Sequence, residues 1–361
     1  FTPAYYEKQE IKPVDEPVEE VHAVDLEEHI AAVRRIEPTF QYGNAARLPN
    51  MKQELSGFDV VHLHYPFFGT ANAVRKWREA NPDARLVITY HMDARASDWR
   101  GLIFKLYANW WMPKIFKTAD LLVGSSFDFI KHSMAGAHYG AEPEKWMELA
   151  FGVDTGRFVP RQKPVQLFQE LGFDPNRRTV LFVGGMDPAH YFKGVDVLLK
   201  SLLSIRSSTQ QEVQTILVGD GALRPKFEAM AESYQLKDVR FLGFVDDELL
   251  PAVYTMADLF VLPSIHQAEA FGVVLLEAMA SGVPVVASNL PGVRAVAQRA
   301  GELFEPGNHV ELAELIQNYI VLPEGEVESL KSRARHVAES QYAWGPIVDE
   351  LEQTYQQLVS R

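Results

Sequence analysis

The chain has 361 residues, of which 47% are apolar and 23% charged, a balance typical of about two folded domains and not of a disordered or collagen-like chain. Its 35 basic and 48 acidic residues give a net charge of −13, which disfavours a nucleic-acid partner because the phosphate backbone would meet an adverse field. The absence of cysteine excludes disulfide bonds and thiolate metal sites, and it suits a reducing compartment, so we expect a cytoplasmic protein.

The first thirty residues are strongly acidic, with nine acids against two lysines between Glu7 and Glu28, and we expect loop or weak strand there. From there, short apolar runs rich in β-branched residues alternate with helical patterns. Runs that are apolar almost throughout are typical of parallel strands buried on both faces. Three such strands are predicted at residues 58–64, 85–91 and 120–124.

Residues 99–117 combine six aromatic side chains with four basic ones and contain no acid. Aromatic and basic side chains together suit the headgroup layer of an anionic membrane, which would place the protein peripherally at the inner face of the membrane. The other interpretation is a core helix that ends at Pro113 and whose lysines extend their ammonium groups to water. The sequence leaves both interpretations open.

A second series of strands follows residues 159–166, a stretch with proline and glutamine that we interpret as the linker between two domains. Because parallel strands need a long connection that covers the sheet, the alternation of strands and helices predicts two doubly wound α/β domains. Ligands bind at the carboxyl ends of the strands in such sheets, so residues at strand ends are the first candidates for a site. The strands of this series are predicted at 179–184, 213–219, 239–245, 258–263 and 283–287.

One predicted strand end carries two glutamates, Glu269 in a loop and Glu277 in the apolar helix that follows. The main-chain amides of Phe271, Gly272 and Val273 would be unpaired donors at the positive end of this helix, where an anion such as a diphosphate binds. Glu277 could accept hydrogen bonds from two ribose hydroxyls, and Glu269 from a sugar hydroxyl. Taken alone, the two could also be a solvated loop acid and a helix-surface residue.

The stretch Glu269-Ala-Phe-Gly-Val-Val-Leu-Leu-Glu277 resembles the Glu-x7-Glu signature of retaining GT-B glycosyltransferases of family four, the glycosyl transferases group 1. The resemblance runs from about residue 58 to the C-terminus. The other stretches that carry it are residues 151–158, 182–187, 193–199, 217–221, 241–245 and 280–287.

The resemblance implies an α/β protein of the GT-B type, with two Rossmann-like domains that face each other across a cleft. The acceptor side would be residues 1–158, joined by a C-terminal helix at 342–361 that crosses back, and the nucleotide-sugar domain would be residues 159–341. The implied reaction is transfer, with retention of configuration, from a UDP- or GDP-sugar to a glycan, lipid-linked or small-molecule acceptor, without a metal ion or a cofactor. Catalytic roles fall on Glu269, His91 and Lys193, and donor contacts on Glu277, Phe271, Gly272, Val273 and Lys193.

The predicted donor loop departs from the family at one position. Gly185 stands where the family usually has an arginine, which neutralises the diphosphate together with a lysine, here Lys193. His190 in the same loop could supply the second donor, and an ordinary surface histidine is the alternative. The N-terminus departs as well, because the strand, Gly-Gly loop and helix that usually open the first domain are not visible in the sequence, so we expect an incomplete acceptor side.

Three histidines lie on two neighbouring predicted strands. The resemblance places a histidine such as His91, at a strand end, beside the transferred sugar, although a lone strand-end histidine is more often structural. His62 and His64 share one face of the preceding strand, so the three could suggest a metal triad. We reject zinc, because buried imidazoles on strands usually find hydrogen-bond partners and the resemblance implies a metal-free reaction.

Two functions other than transfer stay open on the sequence. Gly185 and the N-terminus are compatible with a nucleotide-sugar-binding protein that has no turnover. A sugar-nucleotide epimerase with the same architecture is the other candidate.

Overall fold

The computed structural model describes residues 2–3, 34–42, 45–94, 99–209 and 213–360. Most of the acidic segment that we predicted as loop or weak strand therefore lies outside the described residues. Two short strand pairs come first in the chain. β1 (Thr2–Pro3) pairs in parallel with β2 (Arg35–Ile36), and β3 (Phe40–Tyr42) forms an antiparallel pair with β4 (Ala45–Arg47).

The first sheet has four parallel strands that neighbour each other in chain order. These are β5 (Val60–Tyr65), β6 (Arg85–Tyr90), β7 (Leu121–Gly124) and β8 (Trp146–Glu148). The helices of this part are α1 (Met51–Glu54), α2 (Ala71–Ala80), α3 (Trp99–Trp110), α4 (Met112–Thr118), α5 (Phe127–His132) and α6 (Gly136–Ala141). The sheet is buried on both faces, which explains the uninterrupted apolar runs of its inner strands.

The second sheet has six parallel strands. These are β9 (Thr179–Val183), β10 (Gln214–Val218), β11 (Val239–Gly243), β12 (Leu259–Leu262), β13 (Val285–Ser288) and β14 (Gly301–Phe304). The helices are α7 (Val165–Leu171), α8 (Val195–Thr209), α9 (Arg224–Ser233), α10 (Leu250–Tyr254), α11 (Val273–Ala280), α12 (Val293–Ala297), α13 (His309–Ile320), α14 (Glu324–Gln341) and α15 (Trp344–Val359).

The strand order of the second sheet, β11-β10-β9-β12-β13-β14, reverses direction between β9 and β12. Connections on the two sides of such a point leave in opposite directions, which opens a crevice at the carboxyl ends of the two strands. The loop after β9 begins with Gly184, and the loop after β12 begins with Pro263. The fold therefore places the loops of the predicted donor site side by side.

The last helix, α15, returns to the first sheet. The Tyr355 hydroxyl lies 2.5 Å from Nδ1 of His62, and Arg85 Nε donates to the main-chain oxygen of Leu358 at 2.8 Å. The side chain of Leu358 packs against Val87 of β6, on the face of the sheet opposite to Leu86. The domain boundaries that we placed at 158 and 341 stay predictions.

All eight predicted strands are present, with ends within two residues of those predicted. The sequence missed β2, β3 and β4, and it missed the edge strands β8 and β14 of the two large sheets. All five are at most four residues long, and so short a pattern carries little signal. The predicted linker at 159–166 is shorter than expected, since α7 begins at Val165. Within the described part of the chain, no helix is both long and apolar enough to cross a bilayer.

Candidate active site

The loop after β9 borders the crevice between β9 and β12, and Gly194 allows this loop to contact the end of β12. Gly194 has φ of +69°, and a Cβ at this position would lie 1.9 Å from the main-chain oxygen of Pro263. The amide of Ile265 donates to the main-chain oxygen of Phe192 at 2.8 Å, which fastens the two loops together. Lys193 is thereby held directly over the end of β12.

The ammonium group of Lys193 meets the carboxylate of Glu269 in this crevice. Lys193 Nζ lies 2.7 Å from Glu269 Oε2, and the side chains are only 13% and 11% exposed. The Ser264 hydroxyl donates to the same carboxylate oxygen at 3.1 Å. Two of the predicted catalytic residues, 76 positions apart in the chain, are therefore in direct contact.

Helix α11 begins beside this ion pair, and its first turn supplies main-chain donors. Gly272 precedes it with φ of +81°, and a Cβ there would lie 2.9 Å from Cδ2 of Leu262. The first bond within the turn runs from the Leu275 amide to the Gly272 oxygen at 2.9 Å, so the amides of Val273 and Val274 precede any intrahelical acceptor. Donors at the positive end of a helix suit a phosphate.

Glu277 lies on the next turn of α11 and is held by a tyrosine that the sequence analysis did not select. The hydroxyl of Tyr254, a fully buried side chain, donates to Glu277 Oε2 at 2.7 Å. Burial raises the pKa of the Glu277 carboxyl, and the hydrogen bond from Tyr254 offsets part of that rise. Tyr254 therefore fixes one carboxylate oxygen and leaves Oε1 for a ligand. No feature of the apolar run around Tyr254 distinguished it from an ordinary core residue.

The loop after β9 brings His190 over Gly185, the position of the missing arginine. A Cβ at Gly185 would lie 2.9 Å from Nδ1 of His190, so the imidazole occupies the space beside this glycine. His190 Nδ1 lies 2.5 Å from Oδ2 of Asp187, and Asp187 Oδ1 accepts from the Ala189 amide at 2.8 Å. Burial raises the pKa of Asp187, but the hydrogen bonds from His190 and Ala189 outweigh it and hold that pKa below its usual range.

The three histidines lie at the carboxyl edge of the first sheet and bond to partners other than a metal. His62 is bonded at both ring nitrogens, by the Tyr355 hydroxyl at 2.5 Å and the Thr89 hydroxyl at 2.6 Å. His64 Nδ1 lies 2.7 Å from His91 Nε2. Burial, reinforced by the neighbouring His64, lowers the pKa of His91 to about 4, so this ring is neutral near pH 7. Across the described ranges, no group of three or more histidine or acidic side chains could hold a metal ion.

His91 connects to the donor side through a column of rings. Its imidazole stacks on Phe151 with centroids 5.5 Å apart, and Phe151 meets Phe271 edge to face at 5.2 Å. An ion pair also joins the two halves, because Asp128 of α5 accepts two hydrogen bonds from Arg294 of α12, at 2.7 and 2.9 Å. The predicted acceptor-side histidine and the predicted donor helix thus border one cleft.

Comparison with known proteins agrees with this geometry. A family model described as Glycosyl transferases group 1 matches residues 165–337, and one described as Glycosyltransferase Family 4 matches residues 3–157. The chain belongs to glycosyltransferase family four. The family predicted from the two-glutamate motif is confirmed, and with it a glycosyltransferase of the GT-B fold, in which two Rossmann-like domains face a cleft.

Individual relatives support the same assignment. The chain is 28% identical over 356 residues to a phosphatidyl-myo-inositol mannosyltransferase of Mycobacterium leprae, covering 92% of this chain and 85% of the relative. It is 30% identical over 322 residues to a D-inositol 3-phosphate glycosyltransferase of Geodermatophilus obscurus, covering 84% and 67%. Among solved structures, Anabaena HepE in complex with UDP is similar, with a TM-score of 0.67, 22% identity and coverage of 85% and 81%.

Proposed function

We propose that this family-four glycosyltransferase transfers a sugar from a UDP- or GDP-sugar with retention of configuration and without a metal ion. The contact between Lys193 and Glu269 at the strand-order reversal carries this proposal, together with the free amides of α11 beside it. A cation and main-chain donors suit a diphosphate, and a buried carboxylate suits a sugar hydroxyl. Structures of Anabaena HepE with UDP and with UDP-glucose agree with this choice of donor class.

The roles of the groups follow from where negative charge develops. As the bond from the anomeric carbon to the phosphate oxygen breaks, the leaving diphosphate gains charge, which Lys193 and the amides of Val273 and Val274 stabilise. The acceptor hydroxyl attacks from the face on which the diphosphate leaves, and its proton passes to the departing phosphate. Glu269, already engaged by Lys193 and Ser264, positions the sugar and does not need to act as a base.

His190 takes the place of the missing arginine in this proposal. Asp187 accepts a hydrogen bond from Nδ1 of the imidazole, which turns Nε2 away from Asp187. With a proton on both nitrogens, a form that the carboxylate on one side and the diphosphate on the other favour, Nε2 donates to the diphosphate. A long side chain at residue 185 would displace that ring, since even a Cβ there would approach it within 2.9 Å. An arginine at this position would therefore require the imidazole to move from its present place.

Glu277 and His91 hold the two ends of the donor. The free Oε1 of Glu277 accepts from ribose hydroxyls while Tyr254 holds Oε2. His91 is neutral and already bonded through Nε2 to His64, which leaves Nδ1 for a hydroxyl of the transferred sugar. Since the proton on one ring nitrogen determines the role of the other, His64 acts as a positioning residue for His91.

For the acceptor we propose a glycan or a lipid-linked molecule that is met at the inner face of a membrane, with the protein bound there peripherally. The names of the two curated relatives, an inositol-lipid mannosyltransferase and an inositol-phosphate glycosyltransferase, support a phosphate-bearing polyol or its lipid.

Incubation with a panel of UDP- and GDP-sugars tests the donor proposal. A bound donor at about 100 times its dissociation constant stabilises the fold by about 2.7 kcal/mol, which a thermal shift detects. We expect slow release of sugar and nucleoside diphosphate, unaffected by EDTA, and a transfer product whose anomeric proton matches that of the donor. Lys193→Ala should lower turnover about 100-fold, while the control Lys226→Ala, at an exposed lysine on α9, should leave it unchanged. An epimerised sugar, binding without turnover, or an inverted product would overturn the proposal.

The histidine replacement is tested by combining two substitutions. We expect His190→Ala to lower turnover, and Gly185→Arg alone to lower it as well, because the two side chains compete for one space. In the double variant, Gly185→Arg should restore what His190→Ala lost. Full activity of His190→Ala, or a gain from Gly185→Arg alone, would exclude this role for His190.

A further inference from the structure

Helix α3 presents large apolar side chains to solvent on its outer face. Leu102, Ile103, Leu106 and Trp110 follow each other at helical spacing, and they are 64%, 50%, 51% and 67% exposed. The inner face is apolar as well, since Phe104 and Tyr107 both contact the ring of Phe68, with centroids 5.1 and 4.7 Å apart. The interpretation of residues 99–117 as an ordinary core helix is therefore wrong for its outer half.

The outer face continues onto the first turn of α4 as a shallow groove. Ile103, Leu106, Tyr107, Trp110, Trp111 and Lys114 line it, around a volume of about 410 Å³. The ammonium group of Lys114 lies 5.2 Å from the centre of the Trp111 ring. A contiguous apolar surface that is exposed to water indicates a binding site for another molecule.

The charged side chains that α3 and α4 contribute to this surface are all basic. Lys105, Lys114 and Lys117 are exposed, and residues 99–117 contain no acid, although the whole chain has a net charge of −13. A local positive field on an acidic protein selects an anionic partner.

We propose that the outer faces of α3 and α4, with these three lysines, form a docking surface for the headgroup layer of an anionic lipid bilayer. Trp110, Trp111 and the leucines would enter the boundary between headgroups and acyl chains, and the lysines would contact the lipid phosphates. An anionic bilayer has a layer of negative charge above an apolar layer, so it complements both the lysines and the apolar side chains of this surface.

A second copy of the chain fits this surface less well. In a twofold contact the same patch meets itself, so the lysines of one copy would face the lysines of the other, and neither α3 nor α4 contributes an acid to compensate them. A bilayer has no such conflict.

The surface lies on the acceptor side of the cleft. β6 ends at Tyr90, His91 follows at the carboxyl edge of the sheet, and α3 begins at Trp99. The base of this connection is anchored, since Asp93 is buried and accepts from the Met134 amide at 2.9 Å. Docking through α3 would therefore bring the bilayer to the side of the cleft that contains His91, where a lipid-linked acceptor would enter. That last step rests on the proposed function, whereas the docking does not.

Vesicle flotation with the full chain tests the docking directly. We expect binding to vesicles of phosphatidylcholine with phosphatidylglycerol, weak binding to phosphatidylcholine alone, and loss of binding as salt rises. Lys105→Gln, Lys114→Gln and Lys117→Gln together should lower the partition coefficient on the order of 100-fold, since each basic residue at such a surface contributes about fivefold. A control triple variant removes three exposed lysines elsewhere, as Lys52→Gln, Lys226→Gln and Lys237→Gln, and should bind almost as the wild type does.

The apolar part of the surface has its own variants. Leu102→Ser with Leu106→Ser should weaken binding even at low salt, whereas Val321→Ser, at a side chain 72% exposed on the other domain, should not. Brominated lipids should quench tryptophan fluorescence of the wild type and quench Trp110→Phe less. Thermal unfolding and nucleotide binding, which should be unchanged in every variant, show that the fold is intact.

Three results would overturn the docking surface. These are failure of the wild type to float with anionic vesicles at low salt, an equal loss of binding in the control variant, and a lipid-free dimer that Leu102→Ser with Leu106→Ser dissociates.

Activity is measured separately, on a lipid-linked acceptor in vesicles and on its water-soluble headgroup. If the lysine variant loses only the former, the acceptor proposal is supported. If the wild type docks but transfers to neither, the docking stands and the proposed function fails.

Discussion

Replacement of Tyr254 by phenylalanine removes the hydrogen bond that its hydroxyl donates to the half-buried carboxylate of Glu277, together with a long contact of 3.4 Å to the main-chain oxygen of Val274. The hydroxyl donates to Glu277 Oε2 at 2.7 Å, and the side chain is fully buried, so water cannot replace the donor. A hydrogen bond to a charged group contributes about 1.5–3 kcal/mol. Because the bond also exists without ligand, its loss weakens nucleotide binding only as far as the carboxylate turns away from its place, and we expect at most about a tenfold loss of affinity at neutral pH.

The same substitution changes how nucleotide affinity depends on pH. Burial raises the pKa of Glu277, and the hydrogen bond from Tyr254 is the largest influence that opposes this rise. Its loss should therefore raise the pKa of Glu277 further. Because the proposed ribose contact needs the ionised carboxylate, we expect nucleotide affinity to fall as pH falls, and in Tyr254→Phe this fall should begin at a higher pH than in the wild type.

Calorimetric titration with UDP and GDP over a pH series measures both effects. Tyr319→Phe is the matched control, because that buried hydroxyl donates to the main-chain oxygen of Asp258, just before β12 begins and so at the opposite end of the strand from the cleft. In a Glu277→Gln background, Tyr254→Phe should lower nucleotide affinity little further, because the negative charge that the Tyr254 hydroxyl stabilises is already absent. Equal affinity of Tyr254→Phe and wild type throughout the pH series would refute the reasoning.

Three further predictions concern other parts of the molecule. Lys193→Ala should lower kcat about 100-fold while it changes the dissociation constant of the donor far less, because the charge that Lys193 meets grows in the transition state; equal losses in both would contradict this. Burial lowers the pKa of His62 to about 3, from the ordinary histidine value of 6.5. Between these two values the residue is protonated in the unfolded chain and neutral in the folded chain. The contribution of His62 to the free energy of unfolding is therefore complete above about pH 6.5 and falls as pH falls, by about 2 kcal/mol at about pH 5. In chemical denaturation, the free energy of unfolding of His62→Gln should fall by about 2 kcal/mol less than that of the wild type between pH 7 and 5. Asp128→Ala should free Arg294 and speed hydrogen exchange in α5 and α12; unchanged exchange would show that the two halves are held by other contacts.

The fold and the family could be predicted from the sequence because their signals are local. A parallel strand buried on both faces is apolar along its whole length, and a crossover helix is amphipathic over several turns, so both patterns are visible within about ten residues. Glu269 and Glu277 are close in the sequence and lie on one loop and the helix that follows it. Lys193 and His91 were selected on a resemblance; the structure places Lys193 against Glu269 and His91 against Phe151, and their roles stay predictions.

The contacts that make the site a working unit were not visible in the sequence. The bond between Lys193 and Glu269 exists because the strand order reverses between β9 and β12, and no local pattern records which strands become neighbours. Tyr254 lies in an apolar run that predicts only a core residue, and its hydroxyl has a meaning only when α10 and α11 pack together.

The outer face of α3 illustrates the same limit. Composition determined that residues 99–117 are aromatic, basic and without acids. Only the tertiary structure decided which apolar side chains Phe68 would cover and which would face water. Periodicity along a chain shows that a helix has an apolar side, but burial is a property of what packs against that side, and the elements that pack there come from distant parts of the sequence.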